Sequence, residues 1–144
     1  MSEPSFYLPA SFTDDVFPGL LGYEEMAAAA REERLVIQRC RSCDRFQHVP
    51  EDVCHECYSA DLFFDEVEGA GTIFTWTRIW HPVHPALADR VPYLVVVVAL
   101  DRAAPVRVIG NLLQEPDPSE LIGSPVRASF EHHDDFTLIQ WSLI

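Results

Sequence analysis

The chain has 144 residues, of which 48% are hydrophobic and 23% are charged, as expected for a folded globular protein rather than a disordered one. Its 23 acidic residues stand against ten Arg and no Lys, and the formal net charge of −13 argues against a nucleic-acid partner, because phosphate binding depends on basic residues. No stretch approaches the roughly 18 apolar residues of a membrane span, and the first residues lack a secretory signal, so we expect a cytoplasmic protein without a membrane segment.

Residues 1–34 are predicted to form an extended arm and a helix. The arm, residues 1–18, contains three prolines and four aromatic residues that have no local core, so it is expected to pack on the body of the chain or on a partner. Residues 19–34 combine a run of four alanines with Glu residues that precede Arg, an order that the helix dipole favours. The apolar stripe of this helix is predicted to contain Leu20, Tyr23, Ala27 and Ala30.

Short strands replace the helical pattern from Leu35 onward. Residues 35–68 contain all four cysteines and are predicted to form a second domain. Three stretches in this segment have strand character: 35–39, 46–49 and 62–66. Gly69 and Gly71 then precede a strand rather than a helix, so they indicate a turn with a β-bulge and not a phosphate-binding loop.

Residues 69–144 are predicted to form a small β-barrel. Five stretches of strand character are separated by turns rich in Pro, Gly and Asp. They cover residues 72–80, 93–100, 106–113, 126–131 and 136–143. Five strands linked by turns, without a helical repeat, predict a closed or nearly closed barrel such as an OB-fold. The aromatic residues are predicted to lie mostly in the core, and strand alternation places three of them on one face: Phe74, Trp76 and Trp80.

The four cysteines form two C-x-x-C pairs, Cys40 with Cys43 and Cys54 with Cys57, separated by ten residues. Each pair brings two sulfurs to one side of a turn, and two such turns facing each other supply the four ligands of a tetrahedral site. Thiolates in all four positions predict a structural zinc ion, and iron, which uses the same ligands, stays open as an alternative. Two disulfides are disfavoured in the cytoplasm, and a redox-active C-x-x-C normally occurs once.

The residues that follow the two cysteine pairs are Asp44 and Tyr58, at positions where Gly often eases the turn. Asp tolerates a positive φ moderately well, whereas Tyr does so poorly. The geometry of the second turn is therefore expected to be the more strained of the two.

The histidines have ordinary structural explanations. His81 and His84 alternate with prolines in a loop, which favours a surface or interface role over general-base catalysis. His132 and His133 precede two Asp residues and are predicted to form a solvated hairpin turn. No Ser/His/Asp or Cys/His nucleophile set is found, because every cysteine is assigned to the metal.

Several motifs, taken in order, resemble an acyl-CoA-associated family known as domain of unknown function 35. The matching segments are 35–43 (LVIQRCRSC), the second cysteine pair, 69–76 (GAGTIFTW), 92–95, 110–112, 122–126 and 130–131. The resemblance covers roughly residues 19–141. It implies a mainly β chain in which an N-terminal helix, a rubredoxin-like zinc ribbon and a five-stranded OB-fold barrel follow one another.

The resemblance also implies a non-catalytic accessory subunit. Members of the family accompany thiolases, sterol-carrier-type thiolases that act as retro-aldolases, or acyltransferases, and their genes commonly neighbour those of thiolase-like enzymes. The partner performs the chemistry, while the accessory chain stabilises it and helps to shape the entrance for acyl-CoA in a hetero-oligomer. Arg without Lys and many Ala and Pro indicate a high-GC bacterium, which would suit steroid, lipid or aromatic catabolism.

Two other functions stay open on the residues alone. A stand-alone acyl-CoA-binding protein would need arginines clustered around the CoA phosphates, and the candidates are Arg78, Arg90, Arg102 and Arg107. A zinc ribbon and an OB-fold also serve as nucleic-acid modules, which the net charge of −13 disfavours here.

Overall fold

The computed structural model describes residues 24–134 and 136–144, which contain one α-helix and eight β-strands in two antiparallel sheets. In chain order the elements are α1 (Glu24–Arg31), β1 (Leu35–Cys40), β2 (Phe46–Gln47), β3 (Leu62–Val67), β4 (Ala70–Ile79), β5 (Tyr93–Leu100), β6 (Arg107–Asn111), β7 (Pro125–His132) and β8 (Thr137–Leu143). Single 3₁₀ turns lie at Pro85–Leu87 and Pro118–Glu120. The predicted arm lies outside the described residues. The mainly β class with one helix is confirmed.

Helix α1 ends earlier than predicted. It stops at Arg31, and Glu33 adopts a left-handed conformation (φ 59°) that reverses the chain before β1. Its buried face consists of Met26, Ala29 and Ala30. Ala27 is exposed, which corrects the predicted apolar stripe at that position, while Leu20 and Tyr23 lie outside the described residues.

The first sheet leads into the turns that carry the cysteines. Its order is β2-β1-β3, with the central strand β1 paired to β3 from Leu35 opposite Val67 to Cys40 opposite Leu62. β2 is two residues long, shorter than the predicted 46–49. The first cysteine therefore ends the central strand of this sheet, and the remaining three lie in the turns beyond it.

The second sheet closes into a barrel. Its order is β6-β5-β4-β7-β8, and the two outer strands meet through a parallel bridge between Leu112 and Trp141. The Leu113 N–H donates to the Trp141 carbonyl at 2.9 Å across this junction. Gly110 makes the close approach of the strands feasible, because a Cβ there would lie 2.8 Å from the Ile139 carbonyl oxygen. Five strands with a parallel closure constitute the predicted OB-fold barrel.

The β-bulge of the first barrel strand lies later than predicted. The register of β4 against β5 shifts between Ile73 and Thr75, and not at the glycines. Gly69 instead allows close packing, since a Cβ there would lie 2.7 Å from the Ala128 Cβ. The bulge leaves Phe74 as the extra residue, so its ring turns outward and is 47% exposed.

The predicted placement of the barrel aromatics is correct for some and wrong for others. Trp141 is fully buried in the core, and Trp76 packs against the core while half-buried. Trp80 is 68% exposed, because it follows the end of β4 and lies beyond the part of the barrel that encloses side chains. Phe74 and Trp76 therefore do not share one face as simple alternation predicts.

One cluster of buried apolar side chains joins α1, the first sheet and the barrel. It includes Met26 of the helix, Ile37 of β1 and Val67 of β3, together with Val96 and Trp141 of the barrel. The division into domains at 34/35 and 68/69 stays a prediction. Within the described ranges, no helix has the length and apolar character needed to cross a bilayer.

Candidate metal centre

The four cysteines lie in two turns of matching geometry. The Asp44 N–H donates to the Cys40 carbonyl at 2.9 Å, and the Tyr58 N–H donates to the Cys54 carbonyl at 3.1 Å. Asp44 has φ 71° and Tyr58 has φ 61°, so both residues adopt the left-handed conformation that the sequence led us to expect after each pair. Each turn thereby directs two sulfurs toward the other turn.

The sulfur positions fit a tetrahedral metal site. All four Sγ atoms lie within 4.8 Å of one another, with 3.6 Å between those of Cys40 and Cys57 and 3.5 Å between those of Cys43 and Cys54. Metal–sulfur bonds of about 2.3 Å in a tetrahedron place sulfurs about 3.8 Å apart. Cys40 and Cys54 are buried, Cys43 is half-buried and Cys57 is exposed. The four thiols could therefore hold one ion with no coordination position left open.

Backbone N–H groups favour the thiolate in the two buried cysteines. The N–H groups of Cys57 and then Glu56 lower the pKa of Cys54 to about 6. The N–H groups of Cys43 and Ser42 likewise lower the pKa of Cys40. A thiolate is the form that binds a metal, so in each turn the backbone N–H groups favour the metal-binding form of one sulfur.

The other two thiols keep their protons more strongly in the metal-free ribbon. The Arg45 N–H favours the thiolate of Cys43, but burial and hydrogen bonds with neighbouring thiols outweigh it and raise its pKa to about 12. The pKa of Cys57 is raised as well: the Ser59 N–H favours its thiolate, but partial loss of water around the sulfur and the hydrogen bond with the Cys40 thiol outweigh it, although the residue as a whole is exposed. Metal binding must therefore displace protons from this pair.

A buried pair of glutamines, which the sequence analysis did not single out, holds the loop between the two turns. The Gln47 side-chain amide donates to Gln38 Oε1 at 2.6 Å and to the Val53 carbonyl at 3.1 Å. Gln47 Oε1 accepts from the His55 N–H at 2.8 Å, and Gln38 bonds both backbone groups of Glu51 at 2.9 Å. The sequence does contain a signal for this pair: one Gln lies on each of two short strands beside the first cysteine pair, and the strand register places them opposite each other.

An arginine on β1 ties the first turn to the sheet. Arg39 Nη1 lies 2.7 Å from Asp65 Oδ2, and its Nε donates to the Asp44 carbonyl at 3.1 Å. Its guanidinium also lies 4.4 Å from the centre of the Phe46 ring. These contacts support the turn that carries Cys40 and Cys43.

The histidines of the barrel segment lie in different settings. His84 accepts a hydrogen bond from the Ala86 N–H at 3.0 Å and caps a 3₁₀ turn, and His81 is exposed in the same loop. The predicted solvated turn is wrong for His133, whose side chain is 7% exposed and contacts the buried Glu131 carboxylate at 2.6 Å. The ring also stacks on Phe136, so this one side chain points inward while His132 and Asp134 stay exposed.

Strand register separates two of the four arginines that a CoA-binding site would need to cluster. Arg107 lies opposite Ala99 of β5, whereas Arg78 lies opposite Leu94. Five residues along a strand correspond to roughly 17 Å. Each guanidinium stacks on an aromatic ring: Arg107 lies 3.7 Å from the Phe74 ring centre, and Arg78 lies 5.6 Å from that of Trp80.

Comparison with known proteins matches both parts of the chain. A family model described as the rubredoxin-like zinc ribbon domain of ChsH2 matches residues 27–62, and one described as the C-terminal OB-fold domain of ChsH2 matches residues 65–131. A chain of a solved structure described as "Ltp2-ChsH2(DUF35) aldolase" is 32% identical, with a TM-score of 0.75 over 88% of this chain and 98% of that chain.

Two further relatives are more distant or longer. A DUF35 protein of unknown function from Sulfolobus solfataricus has a TM-score of 0.58 over 84% of each chain at 12% identity, which shows the fold alone. A curated protein from Thermomonospora curvata, described as a probable enoyl-CoA hydratase alpha subunit, is 39% identical over 99 residues, or 68% of this chain. The match spans 30% of that relative's length.

Proposed function

This chain belongs to the DUF35 family, in the group represented by ChsH2, and we propose that it is a non-catalytic accessory subunit of a thiolase-like enzyme that acts on acyl-CoA. The partner is a thiolase or a sterol-carrier-type thiolase that works as a retro-aldolase or an acyltransferase. This chain stabilises the partner and helps to shape its acyl-CoA site, while the bond-making residues belong to the partner.

The observation that carries the proposal is the near-complete match to one chain of a two-component aldolase. That match covers 98% of the related chain, so no large part of the related subunit lacks a counterpart here. The name of the curated relative refers to an enoyl-CoA hydratase, which supports acyl-CoA as the substrate class. The separation of Arg78 from Arg107 counts against a stand-alone CoA-binding site built on these arginines.

The four-cysteine site is proposed to hold structural zinc through Cys40, Cys43, Cys54 and Cys57. A closed shell of four thiolates suits zinc in a purely structural role, since no position is left for water or substrate. Bound there, zinc would join the two turns and fix the loop between them. The segment between the turns has few buried apolar side chains, so the metal supplies stability that packing does not.

Co-purification tests the accessory role. The chain would be tagged and expressed together with a thiolase-like protein encoded beside its gene, and acyl-CoA cleavage would be assayed for each protein alone and for both. We expect a stoichiometric complex whose activity requires both chains. A folded chain that does not co-purify with the thiolase-like protein but binds acyl-CoA directly would overturn the proposal in favour of a stand-alone acyl-CoA-binding protein.

Elemental analysis tests the metal. We expect about one zinc per chain in the wild type. In Cys54→Ser the zinc content should fall below about a tenth of that, because three thiolates and an unionised hydroxyl bind far more weakly. The matched control is Ser42→Ala, which removes only an exposed hydroxyl that contacts Ser59 at 2.9 Å and should retain zinc. Stoichiometric iron, with its visible absorbance, would contradict the assignment.

A further inference from the structure

The central strand of the barrel is apolar on both faces. In β5 the even-numbered residues from Leu94 to Leu100 point inward and are at most 4% exposed. Val95, Val97 and Ala99 point outward and are half-buried. An antiparallel sheet with one solvated face normally alternates apolar and polar residues along each strand. The absence of any polar residue from Leu94 to Leu100 indicates that the outer side of β5 is built for an apolar contact.

The neighbouring strands extend this apolar surface. Val97 lies opposite Ile109 of β6 on one side and Thr75 of β4 on the other. Ile109 is 66% exposed, and the outward ring of Phe74 is 47% exposed with the Arg107 guanidinium 3.7 Å from its centre. We refer to this surface as the outer barrel face, defined by Phe74, Val95, Val97, Ala99, Arg107 and Ile109.

The other side of the barrel has a different character. Arg127 of β7 lies opposite Ser142 of β8, which gives that outer surface a polar pair. Helix α1 packs on β1, β7 and β8 and so covers part of that side. Within residues 24–134 and 136–144, the main packing contacts of α1 and of the first sheet are not with β4, β5 or β6.

The outer barrel face continues into a groove beside α1. The groove has a volume of about 530 Å³, and Ile109 contributes to both surfaces. Its walls include Ala27 of the helix, Val49 of the cysteine-bearing segment and Ile139 of β8. The apolar surface thus extends from the middle of the barrel to the helix, which is more than the scattered apolar residues of an ordinary surface.

We propose that the outer barrel face is the docking surface for the thiolase-like partner, which contributes an apolar patch rimmed by Lys or Arg; this inference rests on the proposed function. Phe74 and Arg107 belong to residue types enriched at protein–protein interfaces, and their stacking holds both outward. A second copy is the disfavoured occupant, because two chains of net charge −13 repel each other. Arg107 is the one charged residue that defines the outer barrel face, so the basic rim that the same net charge favours lies around the patch and not opposite Arg107.

The test introduces a carboxylate into the outer barrel face and into a control site. Ile109→Glu is compared with Val83→Glu, which alters an apolar residue that is 78% exposed in the loop before β5. Ile109→Leu preserves the apolar contact. Each full-length variant is co-expressed with the thiolase-like protein encoded beside the gene, and Kd is measured for the purified chains. Thermal unfolding and the oligomeric state of each variant alone are recorded in parallel.

We expect Ile109→Glu to raise Kd at least about 30-fold, as for loss of an interface hot spot, while Val83→Glu and Ile109→Leu bind like the wild type. The unfolding temperature of Ile109→Glu alone should not change. Wild-type affinity in Ile109→Glu would overturn the docking surface and leave the accessory role intact, whereas failure of the wild type to bind would overturn both. Lower stability of the Ile109→Glu chain would indicate that residues 1–23 cover the face. A change from dimer to monomer would indicate that a second copy covers it. Either result would also overturn the inference.

Discussion

Tyr58 and Asp44 end the two cysteine turns in the same left-handed backbone conformation, although neither is glycine. The Cβ of an ordinary residue approaches the following carbonyl oxygen in this conformation, which costs roughly 1–2 kcal/mol. Asp pays less of this cost than a bulky aromatic residue. The turn that carries Cys54 and Cys57 therefore stores more backbone strain than its counterpart.

Replacing Tyr58 with Gly should relieve that strain. The Tyr58 side chain is 78% exposed, so its removal loses little packing, and we expect the free energy of unfolding of the zinc-loaded chain to rise by about 1 kcal/mol. Tyr58→Ala keeps the Cβ and serves as the control, with no gain expected. Denaturant unfolding of both variants checks the prediction, and equal stabilities for Gly and Ala would show that backbone strain is not the cause.

The thiol pKa values determine how metal affinity responds to pH. A metal and protons compete for the same sulfurs, so affinity should fall as the pH falls. Above pH 6 the protons to be displaced include those on Cys43 and Cys57, whose pKa values are raised. Below a pH of about 6, Cys54 takes up a proton as well, and the decline should become steeper.

Competition with a chromogenic chelator between pH 5 and pH 8 measures this profile. The lowered pKa of Cys54 sets the sign for folding stability too. Above the ordinary thiol pKa of 9.0 its thiolate stabilises the folded ribbon, and this stabilisation is lost as the pH falls through about 6. Metal affinity falls in the same direction, because the metal binds the thiolate. A decline of constant slope across pH 6 would mean that Cys54 does not titrate separately from the other thiols.

Closure of the barrel depends on how closely β6 approaches β8. A Cβ at Gly110 would lie 2.8 Å from both the Ile139 carbonyl oxygen and Trp141 Cδ1, and neither atom belongs to a flexible side-chain end that could move aside. The strands would have to separate at the only junction that closes the five described barrel strands. Closure of the barrel between β6 and β8 thus requires a residue without a Cβ at position 110.

Gly110→Ala should therefore destabilise the chain by about 1–3 kcal/mol, the usual range for overpacking a core. Thr77→Val, at an exposed position of β4, is the control and should change stability by less than about 0.5 kcal/mol. Thermal unfolding monitored by tryptophan fluorescence is suitable, because Trp141 lies at the junction. An unchanged stability in Gly110→Ala would indicate that the barrel can open there without cost.

At the scale of the whole molecule, one apolar cluster joins the first sheet, which leads into the cysteine turns, to the barrel. The strands of the first sheet reach the shared core through Leu35, Ile37 and Val67. Between residues 40 and 61 the buried residues are Cys40, Gln47, Pro50 and Cys54, and Phe46 packs against the shared core while partly buried. The metal end of the ribbon should therefore have lower local stability than the barrel once the ion is removed.

Chelation should unfold residues 40–61 locally while the barrel stays folded. Hydrogen–deuterium exchange of the metal-free chain should show fast exchange in peptides from this segment and unchanged protection in β5 and β7, whose inward side chains pack within the barrel. Peptides of the same chain reloaded with zinc are the control. Loss of protection in β5 would mean that the shared core depends on the metal.

The clustering of the four cysteines, the element types and the fold class could be predicted from the sequence because they depend on local spacing. Two C-x-x-C pairs at this separation favour two facing turns, and alternation with turn residues marks strands within a residue or two of their ends. The arginine stacking, the inward fold of His133 and the pairing of Gln38 with Gln47 could not be predicted. The stacking of Arg107 on Phe74 and the Gln38–Gln47 pair join different strands, whereas the contacts of His133 with Glu131 and Phe136 depend on how one hairpin turn folds.

The sequence by itself determined that two cysteine pairs lie together and which elements the chain forms. Only the tertiary structure decided which side chains face outward. A single extra residue at Phe74 reversed the alternation of β4, and eight apolar residues in β5 became one inner and one outer surface. Burial is a property of neighbours brought together by folding, so the outer barrel face became visible only when β4, β5 and β6 lay side by side.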